Sequence, residues 1–200
     1  MGKVKLSSFG EGAQSQTLIQ RPRLVTLLDE TQSRHIVLVA PAGYGKTTLA
    51  RQWFTGQERK AVWFRAGPAS TDVAALAHGL AQAAEDVLKG SGARLHEHLR
   101  TSHSPNSEVL QIADILVDDL ADWPDDLWMV IDDYQHLAHE PTAEQLIDAV
   151  VARGTIPLFV TSRVRPSWVS ARRLLYGEVA EFGRNIFGDD TRGSRKGGPT

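Results

Sequence analysis

Hydrophobic positions in this 200-residue chain follow two rhythms that alternate along its length. Short, near-continuous apolar runs occur over residues 35–40, 61–65, 127–131 and 157–161, with a briefer one over 178–182. Unbroken runs of this length suit strands buried on both faces of a parallel sheet. Between them, apolar residues recur every three or four positions. Val73, Leu76, Ala77, Leu80, Ala84 and Val87 form one stripe, and Val109, Ile112, Ala113, Leu116 and Leu120 another. Leu146, Ile147, Val150 and Val151 form a third. This spacing predicts helices over 72–88, 109–120 and 142–152, with shorter ones over 21–30, 46–54 and 171–176. Ser70, Thr71 and Asp72 are available to cap the first of these, and Trp123-Pro124 stops the second. Strands alternating with helices give an α/β domain, a three-layer sandwich around a mainly parallel five-stranded sheet. Residues 1–20 and 184–200 carry no stripe and read as a flexible arm and a disordered tail, so the folded domain is expected over 21–183. Residues 89–107 read as a Gly/Ser/His-rich surface excursion with one short helix near 95–99. No internal repeat is visible.

Composition removes several function classes. With 42% hydrophobic and 23% charged residues, the chain is an ordinary globular sequence able to bury a core. A formal charge of −2 gives no electrostatic argument for binding nucleic acid or a membrane. The absence of cysteine excludes disulfides, thiolate metal sites and cysteine nucleophiles. No apolar run approaches the roughly 20 residues that cross a bilayer, and a cytoplasmic setting is the expectation.

The chemistry concentrates after the first strand. Residues 36–48 read Ile-Val-Leu-Val-Ala-Pro-Ala-Gly-Tyr-Gly-Lys-Thr-Thr, an apolar run emptying into a glycine-punctuated loop and then a helix. This is the phosphate-binding loop of P-loop nucleotide hydrolases, with Ala40 where the usual pattern has its first glycine. Gly43 and Gly45 permit torsions that turn successive N–H groups inward around a phosphate. Ala42, Tyr44 and Thr48 complete the cradle, and the helix starting near Lys46 aims its positive end at the same anion. Lys46 can reach the β- and γ-phosphates, and the Thr47 hydroxyl can hold Mg²⁺.

A second signal is Val130-Ile131-Asp132-Asp133-Tyr134, an apolar run discharging into an acidic pair. Asp132 is the candidate metal ligand, and Asp133 the candidate for orienting an attacking water. A third is Thr161-Ser162-Arg163 at the end of the fourth strand, where ligand crevices open in such sheets. Arg163 is the candidate γ-phosphate sensor. Other candidates fall away. His96 and His98 do not share a helix face, which disfavours a zinc site, and Ser162 has no His/Asp partners or elbow glycines for a hydrolase triad.

Several segments together resemble the nucleotide-binding region of MalT-type large LuxR-family regulators, signalling ATPases of the STAND class. They are Arg21-Pro22-Arg23-Leu24, the loop from Ala40 to Leu49, Gln52-Trp53, Val62-Trp63, Ile131 to Leu137, and Ser162-Arg163. The resemblance covers about residues 20–185. It implies a strand order of 5-1-4-3-2, with Arg163 emerging beside Lys46 and Asp132, and Arg21 and Pro22 helping to hold the adenine. It also implies an ATP/ADP switch with slow Mg²⁺-dependent hydrolysis and self-association in the ATP form. Winged-helix, inducer-sensing and DNA-binding domains would follow in a full-length regulator, and this chain alone is not expected to bind DNA. Where the family commonly has an acidic segment after the second strand, this chain has Arg65-Ala66-Gly67-Pro68-Ala69-Ser70. Two alternatives remain open at this point, a stand-alone P-loop ATPase or kinase and a nucleotide-binding remnant without catalysis.

Overall fold

A computed structural model describes residues 20–56 and 58–187. The arm at 1–19 and the tail at 188–200 lie outside the described residues. Helix α1 (Pro22–Asp29) starts with proline, whose missing N–H costs nothing in the first turn. Strand β1 (His35–Val39) follows, then α2 (Lys46–Gly56), β2 (Lys60–Arg65), α3 (Val73–Ala84), α4 (Ala93–Thr101) and α5 (Val109–Asp119). The second half runs β3 (Leu127–Asp132), α6 (Pro141–Arg153), β4 (Leu158–Ser162), α7 (Ala171–Leu175) and β5 (Val179–Phe182).

The sheet has the order β2-β3-β4-β1-β5 and every pairing is parallel, as the resemblance implies. Both faces are covered, which is why its central strands read as continuous apolar runs. Ile36, Leu38, Val130 and Phe159 pack with Leu24 and Leu28 of α1 and Leu49, Trp53 and Phe54 of α2. Val37, Met129, Ile131, Leu158 and Val160 belong to the core shared with α3, α5 and α6, with Leu76, Leu80, Ile112, Leu116, Leu146 and Ile147. Trp53 is the hub of the first core. Its ring meets Phe54 at 4.8 Å, Trp128 at 5.2 Å and Phe159 at 5.3 Å between centroids, and its Nε1–H donates to Asp29 at 2.8 Å. A buried indole is tolerated because that polar edge is satisfied.

The helix expected over 72–88 is shorter at both ends. A 3₁₀ turn, Pro68–Thr71, precedes it, and Asp72 caps it by accepting the Ala75 N–H at 2.8 Å. Beyond Ala84 the Glu85 carboxylate accepts the Gly90 N–H at 3.0 Å, and Val87, expected inside, is exposed. The excursion over 89–107 is more ordered than its composition suggests. Asp119 accepts both the Leu95 N–H at 2.9 Å and Arg94 Nε–H at 2.8 Å, tying α4 to α5. At the other end the chain stays folded to Phe187, four residues past the boundary expected at 183. Arg184–Phe187 forms a 3₁₀ turn because Phe187 has apolar surface to bury beside Tyr44.

A candidate nucleotide-binding site

In an all-parallel sheet the carboxyl ends of β1, β3 and β4 open at one edge, and β4 lies between the other two. Register brings Val39 opposite Ser162, and Arg65 at the end of β2 opposite Asp132. Four segments far apart in sequence thereby converge.

The loop after β1 has the backbone its glycines were expected to allow. Gly43 has φ +82° and Gly45 φ +75°, values that side chains rarely adopt. Helix α2 begins at Lys46, with the Leu49 N–H bonded to the Gly45 carbonyl at 2.8 Å. The Lys46 ammonium folds back on its own loop, donating to the Ala40 carbonyl at 2.6 Å and the Pro41 carbonyl at 3.0 Å. Ala42 is exposed on the loop, and Thr48 is half-buried in the first turn of α2. Arg21 donates from Nη1 to the Tyr44 carbonyl at 2.9 Å and reaches over the Phe187 ring. Arg184 lies over the Tyr44 ring, so the 3₁₀ turn Arg184–Phe187 touches the loop. Pro22 opens α1 beside it.

Thr47 and Asp132, 85 residues apart, meet directly, with Thr47 Oγ1–H donating to Asp132 Oδ1 at 2.8 Å. Asp132 is buried and its Oδ1 also accepts the Thr161 hydroxyl at 2.5 Å. Thr161 in turn accepts the Asp133 N–H at 3.3 Å, bridging the two carboxylate residues. A hydroxyl and a buried carboxylate side by side next to a phosphate-type loop are the donor set that Mg²⁺ with a polyphosphate requires, so the residues fit the implied ligands.

Asp133 sits in the left-handed region at φ +58°, ψ +37°, a conformation that a short carboxylate side chain tolerates. Both its oxygens are engaged. Arg65 closes on Oδ2 through Nε and Nη2, each at 2.9 Å, and Gln135 Nε2–H donates to Oδ1 at 3.0 Å. Burial pushes the Asp133 carboxyl up, but the hydrogen bonds from Gln135 and Arg65 and the Arg65 charge outweigh it, and the carboxyl titrates below the ordinary range. The Lys46 ammonium also titrates below its ordinary value. Partial burial is the main cause and the Arg163 charge the next, opposed by Asp133 and Asp132.

The structure thus gathers Lys46, Thr47, Asp132, Asp133 and Arg163 at one edge and sets Arg21 on the loop. Three contributors were not given roles in the sequence reading. Thr161 stood beside Arg163 in its motif, and Arg65 appeared only as a departure from the family pattern. Gln135, two residues past the acidic pair, appeared only within the segment Ile131 to Leu137 that carries the family resemblance. A groove of about 1010 Å³ lies elsewhere, between α6 and α7 along Glu144, Asp148, Trp168 and Arg173, and no residue of the phosphate-type loop lines it. Its size is no argument for the nucleotide site, which is an open cradle of backbone and charge.

A family model described as AAA domain matches residues 23–162. The HTH-type transcriptional regulator MalT of Vibrio cholerae is 29% identical over 181 residues, covering 86% of this chain and 19% of its own length. MalT of Klebsiella pneumoniae is 32% identical over 168 residues, covering 82% of this chain and 18% of its own length. These relatives bear out the resemblance to MalT, of whose length the chain spans about a fifth. Among solved structures, a STAND protein with a tetratricopeptide repeat sensor from Pyrococcus horikoshii aligns with a TM-score of 0.47 at 16% identity. That alignment covers 86% of this chain and 24% of the other.

Proposed function

Because this chain belongs to the AAA domain family, matched over residues 23–162, we propose that it binds ATP or ADP with Mg²⁺ and serves as the nucleotide switch of a MalT-type transcriptional regulator. The observation that carries this reading is the meeting of the Thr47 hydroxyl and the buried Asp132 carboxylate at 2.8 Å beside the Gly43–Gly45 loop. Backbone N–H groups of the loop and the start of α2 would hold the phosphates, with Lys46 exchanging its two carbonyl partners for phosphate oxygens. Thr47 and Asp132 would hold Mg²⁺, which when bound supplies neutralisation of phosphate charge. Arg21, bonded to the Tyr44 carbonyl at 2.9 Å, and Pro22 would help to hold the adenine. In a longer regulator the switch would act on winged-helix, sensor and DNA-binding domains, with self-association in the ATP form.

Hydrolysis at this site is slow in this reading. Water would attack the γ-phosphorus as the bond to the bridging oxygen breaks, leaving ADP and phosphate, the latter taking the water's protons. Asp133 would orient that water, its carboxylate held in place by Arg65 and Gln135 with a lone pair left on Oδ1. Lys46 would hold the γ-phosphate, and Arg163, at the end of β4, would sense it. An arginine completing such a site in trans is worth roughly 10³–10⁵ in rate, so the isolated chain would turn over far below the 1–100 s⁻¹ of kinases. This distinguishes a switch from a stand-alone turnover enzyme.

Thermal melting tests the reading. Nucleotide with Mg²⁺ at 100 times its dissociation constant should add about 2.7 kcal/mol of stability. The shift should vanish in Lys46→Ala. Equal shifts in both proteins, or none in either, would sink the assignment.

A further inference from the structure

Asp133 and Arg163 leave the sheet on adjacent strands, β3 and β4, and a single side chain spans them. Gln135 Nε2–H donates to Asp133 Oδ1 at 3.0 Å, while its Oε1 accepts the Arg163 main-chain N–H at 3.2 Å. The amide is half-buried, and its residue lies in the short 3₁₀ turn Tyr134–His136 that follows the left-handed Asp133. The turn is itself anchored. Tyr134 is fully buried, and its hydroxyl oxygen accepts the Trp168 indole N–H at 3.0 Å, linking it to the segment that continues from Arg163. On its other oxygen Asp133 is held by Arg65 from the end of β2. Gln135 thereby completes a chain of contacts running across three strand ends, Arg65 to Asp133 to Gln135 to Arg163.

We propose that Gln135 is a positioning residue that fixes the Asp133 carboxylate and the Arg163 main chain at a set separation, so that the water-orienting and γ-phosphate-sensing groups act as one unit. The inference rests on the nucleotide reading above and adds to it a residue that touches neither nucleotide nor metal in that reading. The chemistry of the side chain suits the task. A primary amide both donates and accepts, so it can serve a carboxylate at one end and an N–H at the other. A carboxylate in its place keeps only the accepting end, and an aliphatic side chain keeps neither. The two ends can therefore be separated by substitution.

The experiment compares Gln135→Glu and Gln135→Leu with the unaltered chain, measuring ATP and ADP affinities by calorimetry, phosphate release, and melting temperature. Both variants should retain ADP affinity within about twofold and lose hydrolysis by about tenfold or more, the scale on which misplaced groups cost rate. If Arg163 senses the γ-phosphate, the unaltered chain should bind ATP and ADP with different affinities; Gln135→Leu should lose that difference, whereas Gln135→Glu, which still accepts the Arg163 N–H, should keep it. A purely structural role would instead lower both affinities together with the melting temperature, and that result overturns the inference. So does unchanged hydrolysis and unchanged ATP/ADP preference in Gln135→Leu. Binding without any Lys46-dependent hydrolysis in the unaltered chain also overturns it, while leaving the nucleotide reading standing. Absence of nucleotide binding in the unaltered chain overturns both, and is distinguished from the other outcomes by the calorimetry.

Discussion

Acidification should destabilise this fold through one histidine at the start of β1, the end of the strand away from the phosphate-type loop. His35 opens β1 and is buried, with its ring edge toward Trp168 at 6.3 Å between centroids. Its Nδ1 accepts the Leu158 N–H at 3.3 Å, so a proton there would face a donor. Burial, then the charges of Arg34 and Arg173, lower its pKa from 6.5 to about 4. The folded state therefore binds this proton more weakly than the unfolded chain does. Stability from this group is complete above pH 6.5 and is lost as pH falls toward 4, because the unfolded chain takes up the proton first. Linkage puts the loss at about 2 kcal/mol between pH 8 and pH 5. His35→Asn keeps an acceptor near the Leu158 N–H and cannot protonate. Other titrating groups are common to both proteins and largely cancel in the difference. Whatever stability the variant loses at pH 8, the gap to the parent should close by about 2 kcal/mol at pH 5. That is about 4–8 °C in melting temperature for a domain of this size. Parallel melting-temperature curves across that range would refute the reasoning.

The acidic pair should divide its labour. Asp132→Asn can still accept the Thr47 and Thr161 hydroxyls, so the fold should persist while the Mg²⁺ dependence of ATP affinity, read by titration with and without the metal, is lost. Asp133→Asn tolerates the left-handed backbone and should bind nucleotide nearly as the parent does while releasing phosphate more slowly; equal loss of binding in both variants would contradict the assignment. Trp53→Ala removes the hub ring and its hydrogen bond to Asp29, and should cost about 3–5 kcal/mol in chemical denaturation. A cost below about 1 kcal/mol would mean that the aromatic cluster is not the support of α2 described above.

Much of this architecture was legible because burial on both faces leaves an unmistakable trace. The runs ending at Ala40, Ile131 and Thr161 announced strands, and the loop that follows Ala40 announced its own chemistry. Strand order came from the family resemblance, since parallel strands of similar length carry no local mark of their neighbours. Helix ends were less legible. Val87 fits the stripe of α3 by spacing, yet Glu85 diverts the chain onto Gly90 one turn earlier. The site residues visible in the sequence were those whose type and spacing belong to a motif, such as Lys46 and Asp132. Thr161, Arg65 and Gln135 act through pairing across strand ends, and only the register of β2, β3 and β4 brings them together. Phe187 was obscured by the polar residues that follow it.

Calorimetric titration of adenosine, ADP and ATP, with Mg²⁺, into the chain and into Lys46→Ala decides whether the loop recognises the phosphates. Recognition falls on the phosphate end of the nucleotide, through the loop around Gly43 and Gly45 and the cations Lys46 and Arg163. ADP and ATP should bind the unaltered chain, adenosine should bind far more weakly, and Lys46→Ala should reduce the nucleotides to the level of adenosine. Adenosine binding as tightly as ADP, or ADP binding unchanged by Lys46→Ala, would contradict it.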